Sequence, residues 1–169
     1  SWKSPITSDL IVAESIGLGE IRLDGADVYW SEMRPSEGGR NVVVRRTPDG
    51  RTADVTPQPF NVRTRVHEYG GGAFAVSDGV VYFSNFADQR LYRQEPGGEP
   101  QPLTPEAGRP YSDFAVDDRR HRLVCVREDH TLPDREAANT LAGIDLGRGG
   151  AVGGTGPRYD FPLPPPPTP

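Results

Sequence analysis

The chain has little of what most function classes need. Cys125 is the single cysteine among 169 residues, so no intrachain disulfide can form and no thiolate set offers zinc its four ligands. It sits in the apolar run Arg-Leu-Val-Cys-Val, where a thiol behaves as a small buried hydrophobe. No apolar run approaches the ~20 residues that span a bilayer. The opening SWKSPITSDL also lacks the apolar core of a signal peptide. Both absences point to a cytoplasmic protein with no membrane partner, and the missing initiator methionine points to a chain trimmed or cut from a longer one. Net charge is −5 with no long run of one sign, so there is no basic stripe for a phosphate backbone, and nucleic acid is excluded as a partner. Apolar residues make up only 34%, against 20 Gly and 18 Pro. That balance suits short strands joined by turns.

What is present is a repeat. IRLDGADVYWSEM from Ile21 and FAVSDGVVYFSNF from Phe74 share an alternating strand, a turn containing Asp-Gly, and a second strand with Tyr-aromatic-Ser. FAVDDRRHRLVCV from Phe114 begins a third copy. Each hairpin is followed by a further strand and a turn, and in the first two copies a short fourth segment ends in Thr-Pro, at Thr56 and Thr104. Four short strands per unit, at spacings of roughly 40 to 55 residues, predict β-propeller blades. The expected fold is all-β, a partial propeller of about three four-stranded blades over residues 1–146, with units near 11–57, 66–105 and 112–146. After Leu146 the pattern stops. Residues 147–169 are dominated by Gly and then Pro, which predicts a disordered or polyproline II tail. FPLPPPPTP suits an aromatic-lined groove; out-of-frame translation of a G+C-rich gene explains the same composition, and the coding DNA decides between them. Propellers close with about four to eight blades. Three blades therefore leave open edges, which predicts either a fragment or self-association through those edges.

The chemistry is sparse. No serine lies in a Gly-x-Ser-x-Gly elbow, so no catalytic residue is assigned. No cofactor is implied, and no zinc or calcium spacing occurs. Two stretches remain as candidates. In RVHEYGGGAF, Gly70, Gly71 and Gly72 precede a strand rather than a helix, so they do not form a phosphate loop. They serve the backbone, through positive φ or close approach. His67, Glu68 and Tyr69 then lie in the crossover between blades, either anchoring it by hydrogen bonds or touching something at the central channel. In REDHTLPDRE, Glu128, Asp129 and His130 gather with Asp134 and Glu136 in an expected loop, either solvated or in contact with a ligand near the axis.

The stretches FNVRTRVHEYGGGAF, VVYFSNFADQRLYRQ and RLVCVREDH, with the region from Ser4 to Gly50, resemble the N-terminal propeller of bacterial prolyl oligopeptidase-family serine peptidases. They are most similar to the group of dipeptidyl aminopeptidases and acylaminoacyl peptidases. The likeness runs from about Ser4 to Leu146, and VHEYGGG is its most specific part. In that family the propeller precedes an α/β-hydrolase domain carrying a Ser-Asp-His triad, covers the active site and admits short peptides. The resemblance implies a non-catalytic propeller segment that gates peptide substrates in the full-length enzyme. It places His67 to Gly72 at the matching crossover and Glu128 to His130 at the matching loop. The hydrolase domain is absent from this chain. The alternative is a self-associating interaction module with a proline-rich tail.

Overall fold

A computed structural model describes residues 15–68, 70–105, 109–130 and 137–147, together with the backbone of 159–161. They form three antiparallel sheets of four strands, each in simple sequence order. The first sheet is β1 (Gly17–Asp24), β2 (Asp27–Arg34), β3 (Arg40–Arg46) and β4 (Thr52–Asp54). The second is β5 (Phe74–Ser77), β6 (Val80–Ser84), β7 (Leu91–Gln94) and β8 (Gln101–Pro102). The third is β9 (Tyr111–Asp117), β10 (Arg122–Asp129), β11 (Ala138–Asp145) and β12 (Tyr159–Phe161). This is the all-β partial propeller of three blades that the repeat predicts. Among the described residues no helix is long and apolar enough to cross a membrane.

Turn chemistry sets the hairpins. Asp78 and Gly79 both take positive φ, 50° and 78°, between the paired residues Ser77 and Val80. This is the two-residue turn whose twist matches that of the strands it joins. The recurring Thr-Pro also acquires a reason. At the end of each fourth segment the threonine hydroxyl accepts a backbone N–H from the third strand: Val43 N donates to Thr56 Oγ1 at 3.0 Å, and Leu91 N to Thr104 Oγ1 at 3.0 Å. An arginine at the start of that strand, or just before it, caps the same threonine's carbonyl, Arg40 Nη1 at 3.3 Å and Arg90 Nε at 2.7 Å. The side chain thus continues the strand pairing where the following proline supplies no N–H.

The sheets stack through alternate residues. Tyr29 and Val43 of the first sheet pack against Phe74, Val81, Phe83 and Tyr92 of the second. The opposite face of the second sheet, Ala75, Val80, Tyr82 and Leu91, packs on Phe114, Leu123, Cys125, Ala142 and Ile144 of the third. Phe83 and Tyr92 stack with ring centroids 5.6 Å apart, and Phe60 meets both edge-on. Strand β5 touches β1 on one side and β9 on the other, so the three first strands run together along the inner side of the stack.

Two features differ from the sequence expectation. The third unit does have a fourth strand: Leu141 pairs with Phe161 and Gly143 with Tyr159. Tyr-Asp-Phe is where the tail places aromatic residues at alternate positions, a β-forming pattern. The rest of the proposed tail, 148–158 and 162–169, lies outside the described residues. In addition, β10 runs on through Asp129, so Glu128 and Asp129 are strand residues rather than loop residues. Asp134 and Glu136 lie outside the described residues.

Candidate functional site

The crossover from the first sheet to the second turns at Val66–Glu68, closed by a hydrogen bond from Gly70 N to Val66 O at 3.1 Å. His67 and Glu68 are both left-handed, with φ of 60° and 58°. Two consecutive non-glycine residues in that region cost on the order of 1–3 kcal/mol each, and they persist only where the surroundings over-determine them. Those surroundings come from the third sheet. His67 N donates to Glu128 Oε1 at 3.2 Å, and the His67 Nε2 lies 3.5 Å from Asp113 Oδ2. The two stretches singled out in the sequence, 61 residues apart, therefore meet.

Glu128 is the pivot. Only 5% exposed, it also engages His130, whose Nε2 lies 2.8 Å from Glu128 Oε2. Its burial takes Glu128 itself, though not the stretch as a whole, out of the solvated-loop reading. Asp129 instead pairs with Arg109 at 3.1 Å. His67, Glu68 and His130 are solvent-exposed, and Tyr69 lies outside the described residues.

Two further carboxylates grip the glycine run, and both are set by β-bulges. In β1 the pairing passes from Gly19↔Ser31 to Ile21↔Trp30, leaving Glu20 as the extra residue. In β9 it passes from Ser112↔Val126 to Ala115↔Val124, so Asp113 and Phe114 face one residue, and Asp113 takes φ of 55°. A bulge turns its side chain out of the sheet's alternation. Here the result is that Ala73 N donates to Glu20 Oε1 at 2.7 Å and Gly72 N donates to Asp113 Oδ1 at 2.8 Å, from opposite sides of the crossover. A Cβ on Gly71 would stand 2.8 Å from Asp113 Oδ2 and 3.0 Å from Ser112 Cβ, so close approach requires glycine there; Gly70 requires it through its φ of 89°.

The two carboxyls are tuned in opposite directions. Burial pushes Glu20 up, against the opposing pull of Ala73 N–H and Arg22. At Asp113 burial acts upward too, but the hydrogen bonds from Gly72 N–H, the Ser112 hydroxyl and His67 outweigh it and hold the carboxyl below its usual range. Beside them a cleft of about 530 Å³ is lined by Glu20, Ser31, Asn41, Arg63, Thr64, Gly70 and Gly71, among others. Among the described residues no three His, Cys, Asp or Glu side chains are grouped to hold a metal ion. The arrangement is a hydrogen-bonded rim of carboxylates, with Arg22 paired to Glu20 at 3.1 Å and Arg63 in the cleft wall, and with exposed imidazoles, suited to contacting a polar ligand. Sequence reasoning missed Glu20 and Asp113. Their one signal is that each charged residue interrupts an otherwise alternating strand.

No protein-family signature matches the chain, and no curated protein does either. Solved structures do match. Puromycin hydrolase aligns with a TM-score of 0.77 and 34% identity over 86% of this chain. A mutant of that hydrolase complexed with PGG gives the same values. A puromycin-hydrolyzing peptidase of Mycobacterium tuberculosis aligns with a TM-score of 0.73 and 35% identity, again over 86% of this chain. In each case the match covers 24% of the other protein, so this chain spans about a quarter of their length.

Proposed function

We propose that this segment of a prolyl oligopeptidase-family propeller, the family of puromycin hydrolase, gates access to a peptidase active site and selects among peptide substrates in an enzyme that also carries an α/β-hydrolase domain. What carries the reading is the construction of the crossover. Two consecutive left-handed residues, His67 and Glu68, are held at the inner ends of the strands by Glu128 and Asp113. Strain of this kind is retained where a loop has to present side chains in a fixed place. The exposed His67 and His130 and the adjoining cleft offer polar contacts to a peptide without supplying a nucleophile.

Replacing His67 with Ala in an enzyme holding this segment beside its hydrolase domain separates gating from chemistry. Gating predicts a KM change of roughly 3- to 10-fold that differs between substrates, with most of kcat retained. A fall in kcat of about 10²-fold or more, with intact folding, marks a proton-transfer group and overturns the reading. Unchanged KM for every substrate also counts against it.

A further inference from the structure

The crossover carries cations as well as carboxylates. Along residues 62–66 burial alternates, with Val62, Thr64 and Val66 buried and Arg63 and Arg65 exposed, so the two arginines share one side of the segment. Hydrogen bonds fix the segment against the turn between β6 and β7. Arg63 N donates to Ser84 O at 3.1 Å and Arg65 N to Gln89 Oε1 at 2.9 Å, while Phe86 N returns a bond to Asn61 O at 2.8 Å. Both guanidiniums stand over one half-buried ring, 4.9 and 4.7 Å from the Phe86 centroid.

Two positive charges held less than about 10 Å apart repel each other, and the ring offsets only part of that cost. Elsewhere the chain answers such charges with its own acids: Arg34 meets Asp54, Arg45 meets Asp27, and Arg122 meets Asp117. Arg63 and Arg65 have no carboxylate partner among the described residues. A guanidinium packed by its face against a ring keeps its forked N–H edge for a planar oxyanion. The pair therefore fits an anion that comes from outside the segment.

The surroundings narrow the kind of anion. A net charge of −5 opposes a polyanion such as nucleic acid. Arg63 lines the cleft of about 530 Å³, and Gly38, Gly39, Gly70 and Gly71 bring bare backbone to the same wall. A volume of this order suits a small ligand, and glycine backbone suits the close approach of another backbone. A short peptide with its carboxylate at the arginines meets both conditions.

We propose that Arg63 and Arg65 together bind the C-terminal carboxylate of a short peptide whose backbone lies along this cleft. The proposal rests on the peptide-selecting role above and names the substrate class: short peptide acids, in preference to amides, esters or long chains.

Isothermal titration of the 169-residue chain reads binding without turnover, so its failure and a failure of the His67 kinetic test are separate results. The probes are trialanine, trialanine amide and acetate. Trialanine is expected to bind at least about tenfold more tightly than either of the others. Its addition is also expected to shift the Nε–H resonances of Arg63 and Arg65 in the wild-type chain. Arg63→Ala and Arg65→Ala are each expected to weaken trialanine binding by roughly tenfold, with an unchanged circular dichroism spectrum. Arg51→Ala removes the same charge from an exposed turn, where the side chain is 84% exposed, and is expected to leave the affinity unchanged. Equal affinity for the acid and the amide overturns the proposal, as does no binding of trialanine up to its solubility limit. Acetate that binds as tightly as trialanine indicates a bare anion site and also overturns it. So do arginine resonances that trialanine leaves unmoved, or an equal loss of affinity in Arg51→Ala.

Discussion

Replacing Phe74 with Ala is expected to destabilise the chain by about 3–5 kcal/mol, the cost of removing a fully buried aromatic side chain and leaving a partly collapsed cavity. Phe74 is 0% exposed. It opens β5, packs in the cluster with Tyr29, Val43, Val81 and Phe83, and carries the Arg22 guanidinium 5.5 Å from its ring centroid. Domains of this size are stable by roughly 5–15 kcal/mol in total, so the loss is a large fraction of what holds the first two sheets together. Ile21 is its repeat counterpart and supplies an internal control, because it occupies the same place on the first sheet but is 69% exposed. Ile21→Ala is expected to change stability by only about 0.5 kcal/mol in dilute monomer. Urea unfolding reads both as midpoint shifts at constant slope. Equal costs would contradict the assignment of alternate faces to successive sheets.

Cys125 is expected to resist thiol reagents as strongly as a site in this chain can. It is 1% exposed between the second and third sheets, with its Sγ 3.7 Å from Ala142 O. Burial pushes the thiol up to about 12, only weakly opposed by Arg127. The thiolate is the reactive species. Raising the pKa by about three units lowers the thiolate fraction near neutral pH by roughly 10³-fold, before steric exclusion is counted. Labelling is then governed by opening of the third sheet from the second rather than by the reagent's intrinsic rate. A free-thiol titration under native conditions should show almost no modification on the timescale in which the urea-unfolded chain reacts to completion. Rapid native labelling at a rate first order in reagent and close to the unfolded rate would show that this face is uncovered.

Much of the propeller was legible because its signals are local. Period-two alternation, Asp-Gly turns and Thr-Pro closures each fix one strand or hairpin without reference to distant residues, and their recurrence exposes the repeat. Cys125 was legible in the same way, as an apolar strand position. Bulges were not. Glu20 and Asp113 act through one extra residue in a strand, and a charged residue in an alternating run reads equally well as a solvent-facing position until the pairing register is known. The extent of β10 was hidden similarly: the polar end Arg-Glu-Asp resembles a loop, yet Glu128 is buried because His67 N–H and His130 satisfy its carboxylate. Tyr159–Phe161 was lost among glycines and prolines, since three residues are too few for periodicity to register. The crossover glycines show both sides of the limit. A backbone role was readable from composition, but not that Gly71 must clear Asp113 and Ser112.

The role proposed for this chain, the substrate-selecting propeller part of a peptidase, requires that it does no bond cleavage by itself. The most direct measurement is hydrolysis of peptide arylamides by the folded 169-residue chain, with and without a serine-directed covalent inhibitor. The account predicts no turnover above buffer at any concentration, and no inhibitor adduct by mass spectrometry. Turnover that the inhibitor abolishes, with a stoichiometric adduct on a serine of this chain, would contradict it.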